Sequence, residues 1–214
     1  GDDIGRQALV HGGDDGRTAA HRSLEQEGTV VLLGQRQQLR AVEDEIAAKK
    51  ELQKTMLENT LAMQQKNKDT IGWIYIDDTT VNDVVVKVNY NDDNKYYLRR
   101  NANGENDNDG CYYADFRCTS GNRSTISKNT VIYGHNMGDG TMFGYLQAYK
   151  KLSYYQQHPL ISYNSVYRKD MYKIFAVVVC KADDPDFDYH NFIDSDSDAA
   201  KNEYIEKIMK RSII

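Results

Sequence analysis

A chain of 214 residues with 40% hydrophobic content and sixteen tyrosines has enough apolar surface for a core. That excludes global disorder and bounds the molecule at one domain with additions, or two small ones. A net charge of −5 with no basic stripe gives no reason to expect a nucleic-acid surface, and no apolar run approaches the roughly eighteen residues that span a bilayer.

Composition changes near residue 48. Residues 1–48 contain no Asn, Lys or Tyr yet hold seven of the fifteen glycines. A folded domain rarely divides its alphabet this way, so 1–48 is read as an unrelated or disordered leader and 49–214 as the domain. Five Arg against nine acids give the leader −4, which leaves −1 for the remainder.

From Leu39 the positions Val42, Ile46, Leu52, Met56, Leu57 and Leu61 recur at helical spacing, which predicts a helix to about Lys66. Short β-branched or aromatic runs follow: IGWIYID, VVVKV, CYYADF, TVIYG, ISYNSVY and YKIFAVVVC. RRNANGENDNDG at 99–110 is a loop by composition. MFGYLQAYKKLSYYQQHP reads as one helix or two helical turns closed at His158-Pro159. An acidic loop precedes a last helix, AAKNEYIEKIMKRS, which Asp196 or Asp198 is placed to cap and whose apolar face is Tyr204, Ile205, Ile208 and Met209. Many short strands with few helices predict a mostly-β barrel or sandwich.

Three features invite chemistry. His135 stands at the end of an apolar run and the start of a glycine-rich turn, in NTVIYGHNMGDGTMF. Cys111, Cys118 and Cys180 are too few for a disulfide framework and form no zinc-type pair. Asp194, Asp196 and Asp198 alternate, but Ala199 and Ile205 stand where a calcium loop needs Gly and Glu, so a solvated loop and cap is the better reading. His135, His158 and His190 are not spaced as a metal set. No cofactor and no metal is expected.

In their order and spacing these segments resemble the class B sortases, cysteine transpeptidases of Gram-positive bacteria. NTVIYGHNMGDGTMF matches the family's strand–histidine–turn motif, Asp93-Asn94-Lys95-Tyr96-Tyr97-Leu98 its DNxxYL segment, and GCYYADFR the following strand. Asp78 departs from the glycine common before Thr79, and Asp83-Val84 from the pair common before the VV strand; both question local geometry only.

The resemblance implies a fold and a site. The fold is mostly β: a sortase-like β-barrel lacking its last strands, with an N-terminal helix and a class B-type helix near the C-terminus. His135 takes the catalytic histidine position, and Asn94, Leu98 and Tyr133 line the peptide groove. The implied activity cleaves a sorting signal through a cysteine thioacyl intermediate and passes the acyl group to a cell-wall or pilin amine. It acts on the outer face of the cytoplasmic membrane, through an anchor not present here.

The family's TLxTC nucleophile and its arginine lie downstream of the class B helix and match nothing in this sequence. Cys180, Cys111 and Cys118 are poor substitutes, as is Arg211 for the arginine. The chain is therefore expected to be inactive alone. A non-catalytic sorting-peptide binding module, or a pseudogene product, is the alternative.

Overall fold

The computed structural model describes residues 19–214 apart from 89–93, 121–124, 182–183, 188 and 195–196, with side chains from Arg36 onward. The chain divides into two units, Gly1–Lys50 and Glu51–Ile214. The described backbone of the first unit, from Ala19, is helical; helix α1 is Ala19–Lys66, and its residues from Glu51 on belong to the second unit. Residues 36–50 are all exposed, including Leu39, Val42 and Ile46.

The second unit is built on one six-stranded sheet. Its strands are β1 Thr70–Tyr75, β2 Asn82–Val86, β3 Tyr112–Ala114, β4 Ile132–Tyr133, β5 Leu160–Ser165 and β6 Lys169–Lys173. Their spatial order is β4-β3-β2-β1-β5-β6. Among the described strands only β2 and β3 run parallel, and the crossover between them carries a 3-10 helix at Tyr96–Arg99. The mostly-β expectation is met.

Alternation of side chains along a strand sorts the apolar residues onto two faces. On one face Val85, Tyr112 and Ala114 join Ile71, Ile74 and Tyr163 in the larger cluster. On the other, Val86, Tyr113 and Cys111 pack with Val88 and Tyr97. The last turns of α1 bury Met56 and Thr60, and Asn164 of β5 donates to the Gln53 carbonyl. A 3-10 helix at Phe143–Lys150 and a short α2, Leu152–Gln157, follow β4; α3 is Asp198–Arg211.

Several sequence expectations are corrected here. YKIFAVVVC is a strand only as far as Lys173, because its partner β5 begins at Leu160, after Pro159. Proline has no N–H to extend the ladder. One more bond, Ile174 N–H to the Pro159 carbonyl, ends the pairing. TVIYG is a two-residue strand.

The cap of α3 is Ser197, whose hydroxyl accepts from the Ala200 N–H; Asp198 sits in the first turn and pairs with Lys201. Asp196 lies outside the described residues. The apolar face expected for α3 is half covered. Tyr204 and Ile208 are half-buried, whereas Ile205 and Met209 are exposed.

At the two departures the backbone is accommodated locally. Asp78 adopts φ 54°, a left-handed conformation that Asp tolerates better than most residues. The Thr79 hydroxyl closes this turn, donating to the Ile76 carbonyl and accepting from the Val81 N–H. The Asp83 carboxylate accepts from the Val84 N–H.

Candidate active site

Among the described residues β4 is an edge strand, paired with β3 through Tyr113↔Tyr133 and Ala114↔Ile132. Its last residues deliver His135, half-buried, to the mouth of a tight turn. The Phe143 N–H donates to the His135 carbonyl at 2.9 Å, and Asn136 bridges Met142 across the turn. Thr141 donates from its N–H and its hydroxyl to one Asp139 oxygen, which holds that carboxyl below its usual range. The Thr80 hydroxyl reaches over from the β1–β2 turn to the Gly140 carbonyl at 2.8 Å.

Sterics dictate the glycines. Gly140 has φ 84°, and a Cβ on Gly144 would lie 2.1 Å from the Met137 carbonyl oxygen. Met142 holds φ 50° with ψ −137°, a strained combination for a residue bearing a side chain. Among the described residues no side-chain hydrogen bond engages the His135 imidazole.

Two of the three groove candidates meet at one carboxylate. Asp115, fully buried, follows β3. Its Oδ2 accepts from the Tyr133 hydroxyl at 2.8 Å and from Asn94 Nδ2 at 2.9 Å. Arg117 grips both oxygens, with Nε on Oδ1 and Nη2 on Oδ2 at 2.8 Å each, while its own N–H also donates to Oδ1. Burial alone raises a carboxyl pKa; here the bonds from Arg117, Tyr133 and Asn94 overcome it and hold Asp115 far below the usual carboxylate range. Burial and the bond to Asp115 push the Tyr133 phenol up, so it stays a donor. Asn94 is used at both ends, since its Oδ1 accepts from the Phe116 N–H.

Leu98 stands apart. It lies on the 3-10 helix, about a third exposed, beside Tyr97, whose buried hydroxyl is tied to Asp69 and Asn67. Anchoring Tyr97 turns its neighbour outward.

Asp115 and Arg117 escaped the sequence reading. The signal was present: a charged pair two residues apart, just past an apolar strand, in a segment read only as a strand. Arg117 also donates to the His190 carbonyl and to Asn191 Oδ1. Arg211 is held by Asp184 at 2.7 Å and stacks over Phe187.

The three thiols are accounted for individually. Cys111 is buried in the smaller cluster, where burial pushes its pKa up to about 12. Cys118 Sγ accepts from the Val131 N–H and faces the Asn129 carbonyl, and burial raises it too. Cys180 is exposed beyond β6, and partial desolvation with nearby Asp184 raises it despite Arg211. A nucleophilic thiol needs the opposite shift.

The site thus joins a mixed sheet, an edge strand that leads into a histidine and a glycine turn, and a buried carboxylate clamp. No protein-family model matches the chain. Sortase B of Listeria monocytogenes is 32% identical over 151 residues, 71% of this chain, and the chain spans 57% of that protein's length. The solved structure of sortase B from Listeria monocytogenes superposes with a TM-score of 0.61 at 32% identity, over 71% of this chain and 81% of that one. A Staphylococcus aureus sortase B–substrate complex gives a TM-score of 0.64 at 28% identity, over 72% and 66%. The chain belongs to the sortase B family.

Proposed function

We propose that residues 49–214 form the histidine-bearing part of a sortase-type transpeptidase, with residues 1–48 taking no part. A sorting-signal peptide of a secreted surface protein lies in a groove lined by Asn94, Leu98 and Tyr133. His135 serves as the proton-transfer group. A cysteine thiolate attacks the scissile carbonyl, the amine leaves with a proton from the imidazole, and a cell-wall or pilin amine resolves the thioacyl intermediate. The reaction takes place at the outer face of the cytoplasmic membrane.

The observation that carries this reading is His135 two residues past β4, its carbonyl fixed by Phe143 and its ring without a side-chain hydrogen bond among the described residues. Cys111 and Cys118 are buried and Cys180 lies beyond β6, which supports a nucleophile other than these three. The 214 residues alone therefore bind peptide without acylation, a property they share with the alternative of a non-catalytic binding module.

Titration with the substrate of the Staphylococcus aureus complex, followed by NMR and intact mass, tests this. The expected result is saturable shifts at Asn94, Leu98, Tyr133 and His135 with no covalent adduct. Absence of binding, or an acyl adduct on any of the three cysteines, contradicts it.

A further inference from the structure

We propose that Asp115 is a positioning residue for His135, acting through Tyr133. β4 contributes two residue pairs to the sheet and has no second neighbour among the described residues. So short an edge ladder does not by itself hold the segment beyond it. Asp115 supplies what the ladder lacks. Its backbone N–H donates to the Val131 carbonyl at 2.9 Å, just before β4, and its carboxylate receives the Tyr133 hydroxyl at the end of the strand. One residue thus clamps both ends of the strand that delivers the imidazole two positions later.

The clamp is stiff because the carboxylate is itself immobilised. It has no exposed surface and is gripped through two oxygens by Arg117, a planar fork suited to a carboxylate. Arg117 carries the constraint outward to the His190 carbonyl and Asn191. Asn94 reaches the same oxygen as Tyr133, so the entry to the 3-10 helix bearing Leu98 shares the anchor. An ionised Asp115 therefore sets the spacing between the groove candidates and the histidine. The inference takes from the proposed function only that His135 is the reacting imidazole.

Tyr133→Phe and Asp115→Asn test it, read by site-resolved ring NMR and by diethyl pyrocarbonate modification mapped by mass, with His158 as internal control. His158 is held separately, its ring stacked on Tyr154 at 4.3 Å. In both variants the His135 ring signals are expected to shift or broaden and its modification rate to rise at least threefold, with His158 unchanged. The double variant should go no further than Asp115→Asn alone. If melting falls while His135 keeps its wild-type signals and rate, Asp115 is merely structural and the inference fails. Should Asp115→Asn not fold, Tyr133→Phe, which removes one hydroxyl, decides the matter alone. No peptide enters this experiment, so a failed groove reading leaves its result intact.

Discussion

Asp115 has no contact with water, so its charge is tolerable only while its donors stay in place. Arg117→Ala removes the bidentate partner and strands a buried carboxylate. A loss of about 3 kcal/mol is expected by denaturant unfolding, typical of breaking a buried pair. The pH dependence has a definite sign. The folded-state pKa of Asp115 is depressed, so its stabilisation is complete above the unfolded value of about 4 and fades as pH falls below that toward the folded value. Thermal melts of wild type and Asp115→Asn between pH 7 and pH 2 should diverge least at the acidic end. A constant gap across that range would contradict the clamp. At Gly144 the argument is steric: a methyl group 2.1 Å from the Met137 oxygen forces the turn open. Gly144→Ala should therefore destabilise by more than about 2 kcal/mol and displace the His135 amide resonance.

At the scale of elements, much was legible because apolar spacing reports period directly. The end of α1 at Lys66, the runs that became β1, β2 and β5, and the loop at 99–110 follow from alternation and turn residues. The failures share a cause: pairing is a property of two segments, and a sequence run displays one. β6 stops at Lys173 because β5, its partner on a separate run of the chain, has run out at Pro159. Phe175 and Val179 beyond it are more than half exposed, as are Met171 and Tyr172 to nearly that degree along β6. An apolar edge of this kind promotes self-association. A Phe175→Lys, Val179→Lys double variant is expected to remain monodisperse, by light scattering, at concentrations where the wild type associates. Equal behaviour of the two would remove that edge from consideration.

For the molecule as a whole, the family was legible in NTVIYGHNMGDGTMF and its ordered neighbours, and the comparisons bear it out. The site was legible only in part. His135 is conspicuous because a glycine turn frames it, and the resemblance offers Asn94 and Tyr133 as groove candidates. Their joint dependence on Asp115 was hidden, since hydrogen bonds across 18 and 21 residues leave no periodic trace. Under the proposed function, none of Cys111, Cys118 and Cys180 pairs with His135. Mixed-disulfide formation on the folded chain with a small methanethiosulfonate, which leaves as methanesulfinate, across pH 6–9, mapped by mass at each cysteine in wild type and His135→Ala, tests it most directly. Cys111 and Cys118 should stay protected until denaturation, Cys180 should react slowly at neutral pH, and removing the imidazole should change nothing. Rapid modification of any one of them at pH 6–7 that disappears in His135→Ala would contradict it.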